Sequence, residues 1–153
     1  MTRRIKIIAI GNPLMGDDGV GPAVIERMRE MELPENVTLV NSGADPLDAT
    51  VHLLDADKAI IIDAAAMNRA PGHIEMLSPE NLQAREADDR APCSTHIYGL
   101  TEGLQLAKAV GFDPEIRIIG VQPLSTAPSE GLSPEVSSCI PDVINLVLEE
   151  VAT

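Results

Sequence analysis

Four short aliphatic runs, Ile5–Ile10, Val37–Val40, Ala59–Ile62 and Ile116–Val121, constrain this chain more than any other feature. Ile5–Ile10 is too short for an isolated helix and too apolar for a strand with one wet face. It therefore reads as a central strand of a parallel sheet, buried on both sides. After Gly11-Asn12-Pro13 stops it, Val24, Ile25, Met28 and Met31 recur at helical spacing, with charge at Glu26, Arg27, Arg29 and Glu30 between them. Pro22 suits the first turn of that helix and Pro34 closes it. Val37–Val40 ends in the turn-prone Asn41-Ser42-Gly43. Asp45 then caps a second helix with Pro46 at its first position, and Leu47, Val51 and Leu54 form its inward face. Ala59–Ile62 follows and ends at Asp63. Strand and helix in alternation predict right-handed crossovers. The expected fold is a three-layer α/β domain, with a twisted, mostly parallel sheet of about five strands and helices on both faces.

The second half continues the pattern. A turn over Asn68–Gly72 leads to a short alternating strand, His73–Leu77, expected at an antiparallel edge. Ser78-Pro79-Glu80 starts a short helix, and Arg85–Pro92 is a charged loop. Ser94 or Thr95 caps a helix whose buried stripe is Leu100, Leu104, Ala107 and Val110, ended by Gly111. Ile116–Val121 is the last strand, closed by Gln122-Pro123, and Leu124–Ser133 is a loop. A final helix runs from Ser133-Pro134-Glu135 through Ile140, Val143, Ile144, Val147 and Leu148. Pro141 should kink it or divide it in two.

Composition narrows the function. With 153 residues and 44% hydrophobic content the chain is a single domain, 1–153, with a real core. Tyr98 and Phe112 are its only aromatic residues, so there are few rings for bases to stack on, and a net charge of −13 would repel phosphate backbones. Nucleic acid is thereby excluded as a partner. The cysteines Cys93 and Cys139 make no disulfide framework, which indicates a reducing compartment. The N-terminal apolar run is shorter than a signal sequence needs, and no segment approaches the ~20 apolar residues of a membrane span. A cytoplasmic, soluble monomer that makes no membrane contact is expected.

In an open parallel sheet, ligands bind beyond the carboxyl ends of the strands. Three polar groups fall there. Asp17 and Asp18 follow the first strand, Asp63 ends the third, and His96 opens the helix before the last. Two carboxylates and one imidazole in one crevice make a divalent-metal site. Each residue also has a plainer role. Asp17 or Asp18 can serve as a helix N-cap, Asp63 as a turn former and His96 as an exposed helix-start residue. One cap needs only one acid, however, and all three positions share one edge. His52 and His73 read as partnerless surface residues, and Glu86, Asp88 and Asp89 as a solvated loop. Cys139 falls on the last helix and reads as core. Cys93 lies three residues before His96, but no third residue is evident to orient the imidazole for nucleophilic catalysis. Gly16, Gly19 and Gly21 make no phosphate cradle, since no Lys-Ser/Thr follows and two acids stand in the loop.

The strand–GNPLMGDDGVGP–helix unit, IIDA at Ile61–Ala64, STH at Ser94–His96 and GVQP at Gly120–Pro123 together resemble the nickel-iron hydrogenase maturation endopeptidases, in order and spacing over nearly the whole chain. The resemblance implies that Asp18, Asp63 and His96 form the metal site and carry the catalysis. It implies that the protein removes a C-terminal extension from the [NiFe] hydrogenase large-subunit precursor after nickel insertion. Nickel would then arrive with the substrate and signal that the precursor is ready. Either the metal polarises the scissile carbonyl, or Asp18 or Asp63 acts as general base towards water. Relatives commonly carry an aspartate where this chain has Asn41, four residues before Asp45. A receiver-like signalling domain shares the acid pair and the later aspartate, but needs a lysine where Gln122-Pro123 stands. A hydrolase of this fold acting on another metalloprotein or a small amide is the remaining alternative.

Overall fold

Ile5–Ala9 lies at the centre of the sheet, as its apolar character requires. In the computed structural model it forms β1, paired in parallel with Val37–Asn41 (β2) on one side and Lys58–Ala64 (β3) on the other. The structure describes residues 2–80 and 95–153, the first turn of the helix beginning at Thr95 by its backbone alone. Glu115–Val121 (β5) pairs in parallel with β3, and Ile74–Leu77 (β4) closes the edge antiparallel to β5, giving the order β2-β1-β3-β5-β4. The expected antiparallel edge strand is therefore present, but it pairs with the last strand and not with its neighbour in sequence.

Four α-helices among the described residues cover the sheet: Val20–Met28 (α1), Pro46–His52 (α2), Thr95–Ala109 (α3) and Pro134–Ala152 (α4). Val24, Ile25 and Met28 of α1 and Val136, Ile140, Val143 and Val147 of α4 bury Ile7, Ile60 and Ile62 on one face. Ala49 and Leu53 beside α2 and Leu100 of α3 bury Ile8, Ile10, Ile61 and Ile118 on the other. The alternation along each strand sends successive side chains to opposite cores. The three-layer α/β expectation holds.

Several details differ from the sequence reading. Helix α2 turns Ala49, Thr50 and Leu53 inward, while Leu47, Val51 and Leu54 are 62%, 57% and 40% exposed. Both faces of so short a helix carry apolar residues, and close packing on α3 decides between them. A Cβ on Gly103 would lie 2.0 Å from Thr50 Oγ1, and one on Gly99 2.9 Å from the Pro46 ring. Val110 lies past the end of α3 and is 63% exposed, and Met31 lies past the end of α1. Gly111 ends α3 with φ at +99°. Pro141 sits inside α4, which runs on as one helix. The caps are as expected: Asp45 accepts from the Leu47 N–H at 2.9 Å, and Ser133 from the Val136 N–H at 3.3 Å.

The amino end of the sheet is closed by charge. Lys58 is fully buried, and its Nζ donates to the Glu150 carbonyl at 2.6 Å and to Thr153 Oγ1 at 2.8 Å. The Glu150 carboxylate lies 3.1 Å away and that of Glu115 3.6 Å. Arg3 also bonds Glu115, and that hydrogen bond first of all holds the Glu115 carboxyl below its ordinary range. A cation here faces the negative end of α4. Lys58→Ala is expected to lower the unfolding free energy by about 3 kcal/mol, because it strands buried acceptors. Lys58→Met, apolar and close in length, should lose less; urea titration of both variants checks this.

Candidate active site

The chain leaves β1 for β2 on one side and then crosses back over β1 to reach β3 on the other. The connections after β1 and β3 therefore open away from each other, leaving a crevice at their carboxyl ends. The residues after β1 fill its mouth. Gly11, at φ +148°, passes so close to the next turn that a Cβ would lie 2.0 Å from the Asp18 carbonyl oxygen. The turn itself is a 3-10 helix, Gly16–Gly19, continuous with α1. Gly21 lets it rest on the neighbouring strand, since a Cβ there would lie 2.7 Å from the Ile62 carbonyl oxygen.

The two acids in this turn do different work, and neither is a helix cap. The cap position of the turn is Met15 and that of α1 is Gly19, without side-chain capping at either. Asp17 is 2% exposed and points to the far side of the loop. Its Oδ1 accepts from the Ser133 N–H at 2.7 Å. Its Oδ2 accepts from the Leu124 N–H at 2.9 Å and the Ser133 hydroxyl at 2.8 Å. Both ends of the Leu124–Ser133 loop thus hang on one carboxylate. The sequence reading missed these partners; Ser133 was visible only as a cap of α4. Asp18 is 9% exposed and accepts from the Asn12 N–H at 2.8 Å.

Asp63 is fully buried near the end of β3, opposite Gly120 of β5. Ala59 and Ile61 belong to the core beneath α2 and α3, so strand alternation turns Asp63 to that face. His96 lies in the first turn of α3, which covers the same face. The fold therefore brings the Asp18 turn, Asp63 and the start of α3 to one end of the sheet. Among the described side chains, no three His, Cys, Asp or Glu gather as a metal site; the His96 imidazole is not among them. Two carboxylates and an imidazole are the oxygen and nitrogen donors a divalent ion of intermediate softness takes.

Other polar candidates fall away. His52 and His73 do have partners, with Asp48 and Glu75 carboxylates each at 3.8 Å. Cys139 is 7% exposed, and burial pushes its thiol up, away from the nucleophilic thiolate. Cys93, Glu86, Asp88, Asp89, the Arg85–Pro92 loop and Ser94 lie outside the described residues, as does the helix expected after Ser78-Pro79 beyond Glu80. A cleft of about 250 Å³ runs beside the Asp18 turn, lined by Pro13, Gly16, Gly19, Ala23 and Leu132 among others. A larger hollow, about 690 Å³, opens at the amino end of β5. Its Arg3 and Arg117 are both paired with Glu115.

Residues 22–150 match the family model described as hydrogenase maturation protease. The chain belongs to that family. The protease is 28% identical to the hydrogenase 2 maturation protease of Escherichia coli over 95% of this chain and 88% of that one. It is 30% identical to the hydrogenase expression/formation protein HupD of Bradyrhizobium diazoefficiens, over 97% and 78% of the two chains. Its fold superposes on the hydrogenase maturating endopeptidase HybD of E. coli with a TM-score of 0.87 at 28% identity, covering 97% of this chain and 92% of that one. The [NiFe] hydrogenase maturation protease HybD of Thermococcus kodakarensis gives 0.79 at 27% identity, over 98% and 99%. The protease is thus a peptidase, as its motifs implied, and the receiver-like alternative is overturned. Among the described residues no helix is long and apolar enough to cross a membrane.

Proposed function

We propose that this protease removes the C-terminal extension of a [NiFe] hydrogenase large-subunit precursor, and that it reads nickel, carried in by the precursor, as the sign of readiness. Asp18, Asp63 and His96 are its metal-contacting set. The observation that supports this reading is that the turn after β1, the end of β3 and the start of α3 lie at one end of the sheet. Two carboxylates and one imidazole leave coordination positions open, and thiolates of the precursor can fill them. A set that short of ligands favours loaded over empty substrate, because only the loaded form gains the added bonds. Leu14 and Leu124, 62% and 56% exposed, stand on the loops around the Asp18 turn and offer apolar contact to a protein substrate. In hydrolysis a water oxygen bonds to the scissile carbonyl carbon, the C–N bond breaks and the new amine takes a proton. Asp18 and Asp63 are the groups placed to hold that proton in transit.

Incubating the protease with nickel-loaded and nickel-free precursor, followed by intact-mass measurement, tests the proposal. Loss of the extension from the loaded form alone is expected; equal cleavage of both forms would remove nickel recognition. The metal reading also requires that Cys93→Ser process the loaded precursor at close to the wild-type rate, whereas a cysteine nucleophile would leave that variant dead.

A further inference from the structure

The row of the sheet that holds Asp63 extends to a second polar side chain. Ala9 of β1 stands opposite Asn41 of β2 and Ile62 of β3, so Ile10 is flanked one step later by Ser42 and Asp63. The ladder continues through this row, with Ile10 N–H donating to the Ile62 carbonyl at 3.1 Å and Ser42 N–H to the Ala9 carbonyl at 2.9 Å. Val40 and Ile10 pack in the core beneath α2 and α3, and strand alternation puts Ser42 on that same face, with Asp63. Two strand spacings, about 10 Å, separate the two backbones.

Ser42 is 7% exposed, and its Oγ is the only buried side-chain nitrogen or oxygen among the described residues that lacks a hydrogen-bond partner. Two neighbouring acceptors are already engaged. Asn41 Oδ1 accepts from Gly43 N–H at 3.2 Å, and the Gly43 carbonyl accepts from Gly11 N–H at 2.7 Å. Buried hydroxyls are rarely left unpaired, because burial strips them of water without return. One such group, in the same row and on the same face as Asp63, is best explained by a ligand that completes it.

We propose that the Ser42 hydroxyl is a substrate contact, donating to a main-chain carbonyl of a precursor segment that lies across the carboxyl end of this row. This role rests on the maturation-protease function proposed above. A peptide carbonyl fits because the hydroxyl supplies one donor and no charge, and because the adjacent ladder carbonyls of Ala9 and Ile62 are already taken. Ser42 is then a specificity element at the carboxyl end of β2, separate from the metal-contacting set.

The test is Ser42→Ala, read by thermal melting and by steady-state processing of nickel-loaded precursor. Removing an unpaired buried hydroxyl should raise the melting temperature by about 2–6 °C. Losing one neutral hydrogen bond to substrate should raise KM about tenfold and leave kcat within about threefold. Unchanged KM overturns the role, and so does a lower melting temperature, which would reveal a structural partner for the hydroxyl. If the wild-type protease leaves the loaded precursor uncut, the function itself fails and this contact with it. An active wild type beside an unaffected variant sinks the contact alone.

Discussion

Asp18→Asn is expected to abolish processing of the loaded precursor, with a loss well beyond about 100-fold, while the protein stays folded. The amide keeps an oxygen that can accept from the Asn12 N–H, so that bond of the loop is kept. What disappears is one negative charge of the proposed metal-contacting set. His96→Ala should be equally silent, because the imidazole is the sole nitrogen donor of the proposed set. Mass measurement of the precursor reads the activity, and circular dichroism with a melting curve reads the fold. Cleavage at the normal rate by either variant would strip that residue of its role.

The same substitution one position earlier should do something different. Asp17→Asn puts an NH₂ group where an oxygen now accepts from the Leu124 or the Ser133 N–H, so two donors face each other in a site that is 2% exposed. A cost of about 3 kcal/mol in unfolding free energy is expected, from the lost charge-assisted bonds and the unpaired amide. Urea unfolding measures it. Hydrogen exchange at Leu124 and Ser133 localises it, since both amides should lose protection before the strands do. Wild-type stability in Asp17→Asn would show that the Leu124–Ser133 loop is held by other contacts. Two adjacent aspartates thus separate into one read out by activity and one by stability.

Much of this was legible in the chain. Ile5–Ile10, Ala59–Ile62 and Ile116–Val121 carry no polar residue except Lys6 and Arg117, which reads as buried strands, and β1, β3 and β5 form the centre of the sheet. Asp45-Pro46 and Ser133-Pro134 announced two helix starts because capping is chemistry local to the backbone. The inward face of α2 was not legible. Leu47, Val51 and Leu54 satisfy helical periodicity as well as Ala49 and Leu53 do, and the choice depends on Gly99 and Gly103 of a helix some fifty residues away. The cap assigned to Asp17 or Asp18 failed for a similar reason. An acid before a helix satisfies its free N–H groups unless stronger donors are present, and here Leu124 and Ser133 supply them from the other end of the chain.

By itself the sequence determined the elements, their alternation and the residue types able to hold a metal, because burial period and turn chemistry act over a few residues. Only the tertiary structure decided that β2 and β3 flank β1, so that Ser42 and Asp63 share a row of the sheet and the Asp18 turn closes over its end. Strand order is set by which faces can be covered together, α1 with α4 and α2 with α3. That is a property of the whole packed core and of no segment within it.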